Sequence, residues 1–183
     1  MIYFTSDWHI GHNKEFCYGK RGFSSVEEMD REILKRCNEV VGMGDELWIL
    51  GDLALGEDRY EWSEVYKSLV CRNVHFVQGN HDTDRKMDIY EDEYDFIYHG
   101  YSDVIKYSKR KRFYVCHYPT ICSPNHGDKI PLICLYGHTH QTTNFYENNP
   151  YVYHVGVDSH DCYPVSIEQI IKDIEQEVVK YEK

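Results

Sequence analysis

Apolar positions follow two rhythms along this chain. Short unbroken apolar runs at 2–6, 47–50 and 74–77 have the length of buried strands. Each ends on small or polar residues: Asp7 after the first, Gly51-Asp52 after the second, Gly79-Asn80 after the third. Between them, apolar residues recur at helical spacing. Met29, Ile33, Leu34 and Cys37 follow Ser25-Val26-Glu27-Glu28, a capping-box pattern. Tyr60, Trp62, Val65, Tyr66 and Leu69 predict a second amphipathic helix over about 59–69. Past residue 95 the pattern becomes consecutive strands at 96–98, 104–107, 113–116, 132–136 and 151–157. Ser166-Ile167-Glu168-Gln169 then opens a last helix with Ile170, Ile171, Ile174 and Val178 on one face. Strand–helix units followed by a strand-rich half predict an α/β (α+β) layered fold. With no Pro/Gly/Ser-rich linker and no repeat, 183 residues form one domain, 1–183.

Composition narrows the picture further. Apolar residues make up 42% and charged residues 28%, a globular balance. The apolar runs are only a few residues long, far short of a membrane span. The opening Met1-Ile2-Tyr3-Phe4-Thr5-Ser6-Asp7 lacks the basic and long apolar regions of a signal peptide, so a cytoplasmic location is expected. Seven scattered cysteines, odd in number and without CxxC pairs, predict reduced thiols, several of them small core residues. A net charge of −11 opposes long polyanions, which argues against binding long nucleic acid while leaving a small phosphorylated substrate open.

Five polar clusters follow strand-like runs: Asp7-Trp8-His9, Gly51-Asp52, Gly79-Asn80-His81-Asp82, His117 and Gly137-His138-Thr139-His140. Strand exits at one sheet edge are where open α/β layers assemble sites. Carboxylates, imidazoles and an amide oxygen suit hard to borderline divalent cations, and no cluster contains a cysteine. Asp7 and His9, two apart, can project to one side of an extended segment, as can His138 and His140.

In that order the clusters read DxH, GD, GNH, a lone His and GHxH, a pattern that resembles the calcineurin-like metallophosphoesterase superfamily. The resemblance spans Asp7 to His140. It implies a fold of two packed mixed β-sheets flanked by helices, in a four-layer sandwich. It also implies two divalent metal ions bridged by Asp52, Mn favoured and Fe, Zn, Ni or Co compatible. One would take Asp7, His9 and His140; the other Asn80, His117 and His138. His81 is the implied catalytic residue, protonating a leaving group or holding the phosphate. Ser/Thr protein phosphatases extend the second block to GDxVDRG, but Leu55 and Gly56 stand at the Asp and Arg positions here. The closer likeness is to small bacterial and phage phosphoesterases, which share the Gly11-His12-Asn13 segment and an ending like Gly156-Val157-Asp158 with Pro164-Val165-Ser166. The acidic partner of His81 is thus missing from its usual place; Asp82 is adjacent, but adjacency does not set its direction, and the orienter of His81 is left open.

The resemblance therefore implies hydrolysis of a phosphodiester, or a phosphomonoester, of a nucleotide or small metabolite. A non-catalytic metal-binding scaffold of the same fold and a nuclease are the alternatives. His12 and Asn13 are candidates to line a substrate pocket, or simply to shape their loop. The run Lys109-Arg110-Lys111-Arg112 fits a solvated hairpin turn better than a phosphate site. His75, His99, His154, His126 and His160 carry no motif and fit surface or core roles.

Overall fold

The computed structural model describes residues 1–55, 59–120 and 132–181, with the backbone alone at 59–62, 64 and 181. Gly56, His126, and the side chains of Tyr60 and Trp62 therefore lie outside the described residues.

The three apolar runs of the first half become β1 (Ile2–Thr5), β2 (Glu46–Leu50) and β3 (Asn73–Val77), which pair in parallel. Helices α1 (Glu15–Tyr18), α2 (Val26–Val40), α3 (Arg59–Ser68) and α4 (Asp84–Asp92) fill the connections. A fourth parallel strand, β4 (Ile97–Tyr98), extends this sheet beyond β3. A second sheet holds β5 (Ser102–Lys106), β6 (Arg112–Cys116), β7 (Leu132–Tyr136) and β8 (Val152–His154) in that order, with β5 antiparallel and the rest parallel. The chain then returns to the first sheet as β9 (Val165–Ser166), antiparallel to β1, and ends in α5 (Ile167–Tyr181).

The fold is thus two mixed sheets flanked by helices, and the two-residue side-chain period of its strands explains the layering. Leu47, Ile49, Val74 and Phe76 point to one face, where they pack with Met29, Ile33 and Cys37 of α2, Val65 of α3, and Met87 and Tyr90 of α4. Phe4, Trp48, Leu50 and Val77 point to the other, against Phe113, Val115, Ile133 and Leu135 of the second sheet. Ile170 and Ile174 of α5 join that inter-sheet core. Both capping-box serines cap as expected. The Oγ of Ser25 accepts from Glu28 N and that of Ser166 from Gln169 N, each at 3.2 Å.

The strand at 96–98 does not open a run of consecutive strands; it pairs with β3 across α4, a helix the apolar pattern did not reveal. The basic run closes the β5–β6 hairpin, where the Ser108 Oγ accepts from Arg110 N and Lys111 N. Among the described residues the six remaining cysteines are free and buried, and no helix is long and apolar enough to cross a membrane.

Candidate metal centre

The C-terminal ends of β1, β2, β3, β6 and β7 meet at one edge, where the two sheets face each other. There the backbone is unusual: Asp7, His9, Asp52, His138 and His140 all have φ between 48° and 66°. Left-handed conformations at non-glycine residues cost energy and persist where surrounding structure enforces them, chiefly at functional sites. Two ties enforce them here. Ser6 Oγ donates to Leu50 O at 2.7 Å, lashing the end of β1 to β2. Backbone N–H groups of Asp7 and His9 donate to Gly51 O and Asp52 O.

The seven predicted ligands converge. Nε2 of His9 lies 3.1 Å from Nε2 of His140, and 4.0 and 3.7 Å from carboxylate oxygens of Asp7 and Asp52. His140 Nε2 is 3.9 Å from Asp7. On the other side, His117 Nε2 lies 2.9 Å from Asn80 Oδ1 and 3.5 Å from Asp52 Oδ2. His138 Nδ1 is 2.8 Å from the same Asn80 oxygen. Donor atoms of Asp7, His9 and His140 lie within 4.8 Å of one another, as do those of Asp7, Asp52 and His117. Asp7, His9, Asp52 and His117 are buried; His140 and Asn80 face solvent.

The tautomers decide what this gathering can hold. His117 donates from Nδ1 to Leu50 O, and His140 from Nδ1 to an Asp158 oxygen, each at 2.8 Å. Their Nε2 lone pairs are therefore turned inward, onto carboxylate and amide oxygens and onto a third imidazole. Acceptors facing acceptors at these distances need a cation or extra protons between them, so the residues present fit a divalent metal. Electrostatics say the same. Burial pushes the His9 imidazole down to about 3, so it stays a neutral ligand. Burial opposes a charge on His117, but its bond to Asp52 and the carboxylates of Asp7 and Asp52 draw a second proton onto it and raise it to about 9. Burial would raise Asp52, yet His117 beside it holds the carboxyl down at about 2.

Glycines permit the crowding. A Cβ on Gly137 would sit 2.0 Å from Ser6 Oγ and 2.5 Å from an Asp7 oxygen, and one on Gly79 only 2.3 Å from Asp52 Oδ1. The glycines that recur in the motif blocks are thus places where a neighbouring strand end is pressed against the ligand set.

A supporting shell stands behind these residues, and of its members Arg21 is the one that the sequence did not single out. Arg21 grips Asp158 through Nε at 2.9 Å and Nη2 at 3.0 Å, and also donates to the carbonyls of Asp7 and Trp8. Burial opposes ionisation of Asp158, but His140 and Arg21 hold its carboxyl well below the usual range. One ion pair thereby fixes both the β1 turn and the ring of His140. The signal available was the rule that a metal-binding imidazole is oriented by a carboxylate on its other nitrogen. Asp82 is not the partner of His81. Its buried carboxylate accepts from the backbone N–H groups of Asp52 and Gly79 at 2.6 and 2.8 Å, clamping the β2 and β3 exits together. Burial, and next the charge of Asp52, push it up to about 6.

His81 is exposed at the mouth, its ring 5.5 Å from that of His9, and its backbone N–H donates to Asp52 Oδ1 at 2.9 Å. His9, His81 and His140 line one end of a cleft of about 830 Å³. His12 lines it too, whereas exposed Asn13 is not among its lining residues.

The protein is thus a two-sheet α/β fold with carboxylates and imidazoles gathered at its strand exits. Residues 1–180 match the model of the calcineurin-like phosphoesterases, and the chain belongs to that family. It is 29% identical to an uncharacterised protein of Methanocaldococcus jannaschii, covering 96% of this chain and 92% of that one. It is 27% identical to the gene 66 protein of Mycobacterium phage D29, covering 96% and 98%. Among solved structures, an Aquifex aeolicus protein of unknown function superposes with a TM-score of 0.67 at 25% identity, covering 94% and 98%. A novel archaeal phosphodiesterase shares the fold at a TM-score of 0.50 and 15% identity, covering 92% and 94%.

Proposed function

We propose that the chain hydrolyses a phosphodiester of a nucleotide or other small metabolite, a phosphomonoester being the nearest variant, at a centre of two divalent cations. Asp7, His9 and His140 would hold one cation and Asn80, His117 and His138 the other, with Asp52 shared; Mn²⁺ is the first candidate, ahead of Fe, Zn, Ni or Co. The observation that carries this reading is the convergence of ring nitrogens of His9, His117 and His140 on oxygens of Asp7, Asp52 and Asn80, with Nδ1 of His117 and His140 bonded outward. When bound, such cations clamp phosphate oxygens, offset their charge and bring the pKa of water to about 7.

The protein's own groups do the rest. Asp158 holds His140 by Nδ1, and Leu50 O holds His117 in the same way, so both imidazoles present a fixed nitrogen. Asp82 and Arg21 fix the strand exits from behind. His81 stands free at the mouth with an imidazole placed to protonate an alkoxide leaving group or to bind a phosphate oxygen.

The test is hydrolysis of bis-p-nitrophenyl phosphate and p-nitrophenyl phosphate by metal-stripped protein reloaded with Mn²⁺. Diester cleavage is expected, falling about 10²–10⁴-fold in His81→Ala, the usual worth of a positioned acid. Preference for the monoester would make the protein a phosphatase on the same centre. If two equivalents of metal bound but neither ester were cleaved with any of the five metals, the site would be a scaffold rather than a catalyst.

A further inference from the structure

The proposed reaction uses only one end of the 830 Å³ cleft. From His9 the cavity runs past His12 to α1, where Phe16 forms a wall, and aromatic rings follow one another along it. His140 stacks on His9 at 5.0 Å, His12 lies 5.7 Å from His9, and Phe16 meets His12 edge-on at 5.4 Å. Phe16 is 63% exposed, although its neighbour Cys17 is buried in the core. Burial of Cys17 already anchors this short helix, so the Phe16 ring is presented to the cavity at the expense of leaving apolar surface wet. Deeper lining combines buried apolar Val157 and Cys162 with the largely buried Arg21–Asp158 ion pair. The rim is charged, with exposed Lys20 and Asp161 and with Arg36, which pairs with Glu32 at 3.8 Å. Lys20 is exposed and makes no ion pair among the described residues, and Arg36 spans the opposite side from Asp161 O, to which it donates at 2.7 Å.

This combination selects among phosphate esters. A bare sugar phosphate would leave the Phe16 wall uncovered. A lipid tail would meet Lys20, Arg36 and Asp161 where it needs an apolar channel. A flat heteroaromatic ring matches both features, because its π-face covers Phe16 while its polar edges meet the charged rim. Two ring contacts separate Phe16 from His9, the span of a phosphate–sugar–base unit rather than of a phosphate alone. We propose that the cleft is the subsite for the nucleoside arm of a nucleotide ester, with the base stacked on Phe16 and the phosphate at His9 and His140. This rests on the phosphoesterase reading above and gives that reading a substrate class.

The test is calorimetric binding of adenosine 5′-monophosphate and of ribose 5-phosphate to the Mn²⁺-loaded full chain, in wild type, Phe16→Ala and Phe16→Trp. The wild type is expected to bind the nucleotide about tenfold tighter, equivalent to about 1.4 kcal/mol, within the range of one base–aromatic stack. That ratio should collapse towards one in Phe16→Ala and return in Phe16→Trp. Equal binding of the two ligands by wild type, or a ratio that survives Phe16→Ala, would overturn the subsite. Cleavage of bis-p-nitrophenyl phosphate in the same preparations separates the two claims. If the diester is cleaved but the base adds nothing, the subsite alone is wrong. If neither sugar phosphate binds and no ester is cleaved, the phosphoesterase reading and the subsite fall together.

Discussion

Two histidine clusters in this molecule have opposite hydrogen-bond logic. At the β4–β5 edge, His75 and His99 lie on Trp48 at 4.4 Å each, between the sheets. His99 Nδ1 pairs with an Asp103 oxygen at 2.7 Å, and His75 Nδ1 with His99 Nε2 at 2.8 Å. One proton in each link joins the first sheet to the second, and burial keeps the His75 pKa below its ordinary value. In the candidate centre Nδ1 of His117 and of His140 is committed outward, to Leu50 O and Asp158, while their Nε2 atoms face carboxylate and amide oxygens and the ring of His9. Histidines packed beside carboxylates are therefore not diagnostic in themselves. What sets the candidate centre apart is that ring nitrogens from several strand ends converge on shared carboxylate and amide oxygens, where a cation could take the place of the second proton on His117.

The sharpest way to break this contrast is to remove one carboxylate from each cluster. Asp52→Asn takes away the charge shared by both proposed ligand sets. Bis-p-nitrophenyl phosphate hydrolysis should fall about a thousandfold or more, because several kcal/mol of transition-state stabilisation would depend on the cations it is proposed to hold. Asp103→Asn, the matched change in the other cluster, should leave kcat/KM within about twofold, since His99, to which Asp103 bonds, bonds on to His75 and not to a proposed ligand. Equal losses from the two substitutions would show that both clusters serve the reaction.

A smaller effect tests the supporting shell. Asp158→Asn keeps the volume but weakens the grip on His140 and on Arg21, which holds the Asp7 and Trp8 carbonyls. Mn²⁺ affinity, measured by titration of the stripped protein, should drop about 10- to 100-fold, the usual cost of losing an orienting carboxylate. An unchanged affinity would mean that the β1 turn positions the ligands unaided.

This contrast also explains what was legible in the chain. Strand exits bearing Asp7, Asp52, Asn80, His117 and the His138–His140 pair announce themselves, since a short apolar run ending in a polar residue is a local signal. Helix α4 was hidden because its inward face includes Lys86, whose Nζ donates to Ala54 O and His81 O at 2.6 and 2.8 Å, and whose position breaks the apolar stripe. With that helix unseen, β4 looked like the first of the consecutive strands instead of a parallel partner of β3. Asp158 and Arg21 were invisible as a unit because 137 residues separate them and, although Asp158 directly follows the run at 151–157, Arg21 follows no strand-like run. Asp82 sits beside His81 in sequence, yet its carboxylate is buried against two backbone N–H groups. Neighbourhood along the chain gave no information on direction there.

A third histidine calibrates the comparison through pH. His154 is fully buried, paired only through Nδ1 to Ser159 Oγ at 2.8 Å, and burial lowers its pKa to about 3. The unfolded chain takes up a proton near 6.5 while the folded one does not. Its stability contribution is therefore complete above about pH 6.5 and is lost progressively as pH falls towards 3. Between pH 7 and 5 the cost is about 2 kcal/mol. Urea unfolding of the metal-stripped protein should show this slope, and His154→Gln should flatten it by one proton's worth. A variant with the wild-type slope would place the acid sensitivity elsewhere.

The smallest expected effect is the decisive one for the proton-linked cluster. His99→Asn removes the central link between His75 and Asp103 while leaving a polar side chain over Trp48. The two hydrogen bonds lost lie at a partly exposed edge where water replaces them, so unfolding free energy should fall by only about 1 kcal/mol. Mn²⁺ affinity and ester hydrolysis should stay within about twofold, because no donor atom of the candidate centre touches this chain of rings. A loss of metal affinity on this substitution would mean that the sheet-to-sheet link sets the spacing of the strand exits. His75, His99 and Asp103 would then belong with Arg21 and Asp158 in the frame that holds the ligands.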